Sequence, residues 1–176
     1  MVANFLSSFL LNATLGTVVS CLSALGEEIG WRGYMRTRLF VAGVPKPVLV
    51  SGLVWAFWHI PLILSGRYAS GVAQVSAMLF VIGTIADAYL AAYVRLRSGS
   101  VWPAVTYHGA WNAIIQGTFD RSFVGTHLAI GESGWLTATI AFIVVLFITR
   151  GIWKLQARPG QPLILPSARY SSTLTV

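Results

Sequence analysis

The sequence predicts an all-α fold, a polytopic membrane helical bundle of about five transmembrane helices plus an interfacial helix. Three observations carry this reading. Hydrophobic residues make up 56% of the 176 residues and charged residues only 10%, against roughly 25% charged in a soluble domain; mean hydropathy is +0.72. The apolar residues fall in runs, most of them long enough to cross ~30 Å of hydrocarbon. The basic residues behind the net charge of +7 cluster in short segments between those runs, the pattern the positive-inside rule produces. That clustering points to the lipid bilayer as partner and away from nucleic acid. The length admits one domain: a membrane-embedded unit over 1–155 and a tail over 156–176. The tail has three prolines and no helical periodicity, so it is expected to be disordered and cytoplasmic. The one cysteine, Cys21, lies inside an apolar run; it allows no disulfide within the chain and reads as a buried, inert thiol.

The first run, 5–25, is long enough to span. Met1-Val2-Ala3-Asn4 lacks the basic region of a signal peptide, so the run is expected to stay as a membrane helix. Segment 28–39 mixes Arg32, Arg36 and Arg38 with Ile29, Trp31, Tyr34, Met35 and Leu39, and reads as a helix at the membrane boundary. Pro45 and Pro47 end it. The second span, 48–64, has His59 as its one ionisable residue, and Pro61 is expected to kink or end it. After a turn over 65–71, the third span, 72–94, is uncharged except for Asp87 and is closed by Arg95 and Arg97. Ser98-Gly99-Ser100 turns the chain, and Pro103 suits the first turn of the fourth span, 101–118, which carries His108 and Asn112. A polar loop over 119–133 holds Asp120, Arg121, His127 and Glu132. The fifth span, 134–149, is framed by Trp135 and Trp153, rings that favour the interface.

Counting charges gives the orientation. With 27–47 placed in the cytoplasm, that side holds Arg32, Arg36, Arg38, Lys46, Arg95, Arg97, Arg150, Lys154, Arg158 and Arg169, and the other holds Arg67 and Arg121. Ten against two predicts the N-terminus outside and the C-terminus in the cytoplasm.

The chemistry centres on Glu27-Glu28-Ile29-Gly30-Trp31-Arg32-Gly33-Tyr34. Carboxylates at the edge of hydrocarbon are costly unless paired or used. Arg32 lies one helical turn after Glu28, so the two can form an ion pair. Glu27 projects about 100° away, has no evident local partner, and suits a general base; the plain alternative is an interfacial anchor. His108 and Asn112 are four apart and share a helix face. From the cytoplasmic side His108 lies roughly 10 Å deep and His59 roughly 17 Å deep at 1.5 Å per residue. Glu27, His59, His108 and Asn112 can therefore converge in a cavity open to the cytoplasm.

Three motifs in this order resemble the intramembrane proteases that include the CAAX prenyl endopeptidases and the bacteriocin-processing enzymes. Glu27-Glu28-x-x-x-Arg32 matches the first motif, in the Gly30-Trp31-Arg32-Gly33 context common among bacterial members. Trp55-Ala56-Phe57-Trp58-His59 matches the second, with Trp55 where phenylalanine is usual. His108-Gly109-Ala110-Trp111-Asn112 matches the third. The likeness covers roughly 25–115. Members commonly have more membrane helices before the first motif; the one helix here implies a short member, a truncated product or a fragment.

The resemblance implies a membrane-embedded endopeptidase of glutamic type in a bacterial plasma membrane, working without a cofactor. Its substrate would be a peptide or protein, prenylated or membrane-associated. It implies Glu27 as general base helped by His59, His108 and Asn112 as oxyanion donors, and Glu28 with Arg32 holding the glutamate helix in place. A zinc enzyme is the nearest alternative, with Glu27, His59 and His108 as ligands and an open position for water, although the His-Glu-x-x-His spacing is missing. An aspartyl type needs two membrane aspartates and only Asp87 lies in a span; Asp87 reads as structural. A serine type at Gly131-Glu132-Ser133-Gly134 has no later histidine to serve as its base. A non-catalytic immunity or binding protein, or a small transporter subunit, would not need Glu27, His59, His108 and Asn112 at once.

Overall fold

The computed structural model describes residues 2–66, 73–123, 128–149 and 152. Arg67, His127 and the tail expected over 156–176 lie outside them. The described residues form five helices and no strand.

Helix α1 runs from Val2 to Val41 without interruption. Two stretches, Asn12–Gly16 and Ile29–Met35, wind as π-helix. The segment read as an interfacial helix over 28–39 is helical, but it continues the first span across Glu27 and Glu28. Neither glutamate breaks a helix, and Gly30 and Gly33 are tolerated because no turn residue or proline follows them before Gly43. Gly43 ends α1: its φ is +71°, its N–H donates to the Phe40 carbonyl, and the Val44 N–H donates to that of Leu39, the paired bonds of a Schellman cap.

Helix α2 is Pro47–Leu64, with Pro47 in its first turn. Pro61 sits inside the last turn and the helix continues three residues past it. Helix α3 is Ala73–Ser98. Helix α4 is Trp102–Trp111 followed by a π-helical stretch, Asn112–Asp120. Helix α5 is Trp135–Ile148.

Helix α3 is the centre: it packs on α2, α4 and α5, while α1 packs on α4. Small residues set the closest approaches. A Cβ on Gly52 would lie 2.8 Å from that of Ala88, and one on Gly109 would lie 2.7 Å from Cys21 Sγ and 2.9 Å from its backbone nitrogen. Close backbone contact of this kind is how helices pack in lipid, where the hydrophobic effect gives no drive between them. The exterior is apolar, with Leu15, Val18, Val19 and Leu22 on α1, Phe57 on α2, and Ile140, Leu146 and Phe147 on α5 all exposed. Val2–Val41, Pro47–Leu64 and Gln74–Ser98 are each long and apolar enough to cross a membrane; Trp135–Ile148 is apolar but shorter.

Candidate active site

Helices α1, α2, α3 and α4, with the segment before α5, enclose a cavity of about 200 Å³. All six residues singled out in the sequence line it: Glu27, Glu28 and Arg32 from α1, His59 from α2, and His108 and Asn112 from α4.

Glu28 is the fixed point. It is fully buried, and its Oε1 accepts from Arg32 Nη1 at 2.7 Å and from His108 Nδ1 at 2.9 Å. The intrahelical pair has the i, i+4 spacing the sequence indicated. The bond to His108 ties α1 to α4 one residue before Gly109, which makes the close contact with Cys21. The Arg32 guanidinium lies 4.0 Å over the Trp55 ring, a cation–π contact that gains strength when both groups are dry.

Glu27 is half-buried and has partners the sequence did not show. The indole N–H groups of Trp31 and Trp55 donate to its Oε2, at 3.3 Å and 3.0 Å. Trp31 is one turn along α1, but Trp55 comes from α2. The departure from the usual phenylalanine at Trp55 therefore adds a donor that a phenyl ring lacks. His59 Nδ1 donates to the Trp55 carbonyl at 3.0 Å, which places the other ring nitrogen, Nε2, as the basic one in the neutral ring. The His59 ring packs against Trp58 and Phe80, and that of His108 lies edge-on to Trp55. Trp55 thus touches Glu27, Arg32, His59 and His108.

Asn112 stands where α4 passes from α-helix to π-helix. Changes of this kind recur at functional sites, because the inserted residue re-aims the side chains around it. Its Oδ1 accepts from Gln116 Nε2 at 3.3 Å, and the same Nε2 donates to Glu132 Oε1 at 2.8 Å. Asp87 also lines the cavity and is held by the Tyr107 hydroxyl at 2.6 Å.

A family model decides the class of protein. The model described as type II CAAX prenyl endopeptidase Rce1-like matches residues 8–114. The chain belongs to this Rce1-like family. No curated protein and no solved structure matched the chain. Membership makes the chain a protease acting on peptide substrate, and the long apolar helices of this Rce1-like protein make it an integral membrane protein. The matched stretch contains all six residues and ends two positions after Asn112.

Among the described residues of the Rce1-like chain, no three His, Cys, Asp or Glu side chains are grouped to hold one metal ion. Glu27, His59 and His108 line the same cavity. Glu132 and Gln116 were not singled out in the sequence: Glu132 sits in what reads as an outer polar loop, and only the return of 128–134 into the bundle brings it to the cavity.

Proposed function

We propose that this cavity hydrolyses a peptide bond by attack of a water molecule that Glu27 activates. The observation that supports the reading is the convergence of Glu27, His59, His108 and Asn112, from three helices, on one cavity, where each is expensive to bury without a task. The indole donors both take Glu27 Oε2, which leaves Oε1 to accept a proton from water. His59 Nε2 helps to hold that water. The water oxygen bonds to the scissile carbonyl carbon, and the carbonyl π electrons move to its oxygen. His108 and Asn112 Nδ2 donate to that oxyanion; the histidine does so as a ring protonated on both nitrogens, with Nδ1–H kept on Glu28. The oxyanion electrons then re-form the carbonyl as the carbon–nitrogen bond breaks, and the departing amine nitrogen takes the proton from Glu27. Glu28 and Arg32 touch no reacting atom and hold α1 and His108 in place.

The proposed substrate is a peptide or protein at the membrane, and a prenylated C-terminal peptide is the first to test because the family is named for it. The proposed orientation puts the end bearing Arg32, Arg36, Arg38, Arg95 and Arg97 in the cytoplasm, with the N-terminus of the chain outside.

Cleavage of that peptide by purified variants tests the mechanism. Glu27→Gln is nearly isosteric and non-basic, and lowers kcat by about 10²–10⁴-fold. Asn112→Ala lowers it by about 10²–10³-fold. Undiminished cleavage by Glu27→Gln contradicts the proposal.

A further inference from the structure

We infer that Gln116 and Glu132 are positioning residues that set the orientation of the Asn112 amide, turning its N–H donors toward the cavity. The inference rests on the reading of Asn112 as an oxyanion donor. An asparagine amide can serve an oxyanion only through Nδ2; flipped by 180°, it presents a second negative dipole to the developing charge and opposes the reaction. Something must hold it one way round. Gln116 Nε2 does so by donating to Asn112 Oδ1 at 3.3 Å. Gln116 could itself flip, and Glu132 prevents this: its Oε1 accepts from the same Nε2 at 2.8 Å, and a carboxylate offers no donor to a flipped glutamine. The chain of polarity therefore runs from an acceptor-only group, through Gln116, to Asn112.

The parts that hold this relay are built. Gln116 lies four residues after Asn112 on the same helical stretch, a spacing at which such side chains meet. Glu132 is held by its backbone, whose N–H donates to Asp120 Oδ1 at 3.2 Å. The Trp135 N–H donates to the Leu128 carbonyl and that of Leu136 to the Ala129 carbonyl, so segment 128–136 is closed on itself. Gln116, Glu132 and Asn112 all line the cavity.

The decisive variant exchanges the two outer groups, Gln116→Glu together with Glu132→Gln. It keeps a hydrogen bond between positions 116 and 132 and the same total charge. Toward Asn112, however, position 116 now offers only an acceptor, so the amide must turn Nδ2 away from the cavity. Kinetics of peptide cleavage by the whole chain, with thermal unfolding in the same detergent, give the readout. The expected result is an unfolding temperature close to wild type, an unchanged KM, and a kcat lowered about 10²–10³-fold, as for Asn112→Ala. Added to Asn112→Ala, the exchange is expected to cause no further loss, because the group it acts through is gone. A merely structural pair would behave otherwise: the exchange would restore wild-type kcat, and that result overturns the inference. Should the exchange fail to fold, Gln116→Leu gives the same test: loss of kcat alone, absent in the Asn112→Ala background, supports the relay, and a fully additive loss overturns it. If Asn112→Ala itself keeps the wild-type rate, the oxyanion reading falls and the relay with it; if Asn112→Ala is impaired and the exchange is not, only the relay falls.

Discussion

Glu28 has no solvent contact and shares one oxygen between Arg32 and His108. Removing a member of such a buried set leaves the remaining charge unpaired. Glu28→Gln and Arg32→Ala are therefore each expected to destabilise the protein by about 3–5 kcal/mol, read as a lower unfolding temperature in detergent together with lost activity. Full stability of both variants would show that the pair does not hold the helix. Glu27 behaves differently, since its partners are neutral indoles, and Glu27→Gln is expected to unfold close to wild type. At this scale the sequence was informative for some residues and silent for others. The i, i+4 spacing of Glu28 and Arg32 and that of His108 and Asn112 are local facts of helix geometry, so they could be read directly. The bonds from Trp55 to Glu27 and from Glu132 to Gln116 join residues 28 and 16 positions apart. No periodicity carries such pairings; only the packing of the helices decides them.

At the scale of elements, four of the five helix positions were legible, because prolines, glycines and arginines punctuate the apolar runs. The continuity of α1 was not. Two carboxylates after an apolar run read as a boundary, yet helix propensity continues through them and the membrane does not end a helix. At ~1.5 Å per residue the 40-residue α1 is about 60 Å long, twice the ~30 Å of hydrocarbon, so part of it extends beyond the apolar layer. The π-helical stretches were also invisible, since they carry no sequence signature. The contact of α1 with α4 depends on Gly109. A methyl there meets the Cys21 backbone nitrogen at 2.9 Å, which no side-chain rotation relieves. Gly109→Ala is expected to destabilise by about 1–3 kcal/mol and to impair activity by moving His108 off Glu28. Gly26 faces open space, and Gly26→Ala is expected to be neutral or to stabilise by up to about 1 kcal/mol. Thermal melts of the two variants side by side test the contact; equal stability would contradict it.

For the whole molecule, composition alone indicated the membrane bundle, and the order of three motifs indicated the family. Orientation rests on the distribution of twelve basic residues. Cysteines introduced at positions 37–46 in a Cys21→Ala background are expected to resist an impermeant thiol reagent applied from outside intact cells. Clear labelling there would reverse the orientation. The return of segment 128–134 into the bundle was not legible, because a polar loop reads as solvent-facing until its partners are known. The central claim is that one cavity hydrolyses a peptide bond with Glu27 as the base and without a bound metal. The measurement that tests it most directly is cleavage of a prenylated peptide by purified protein, with and without a strong chelator. Unchanged cleavage in the chelator is the expected result; loss of cleavage that returns on adding zinc would contradict it.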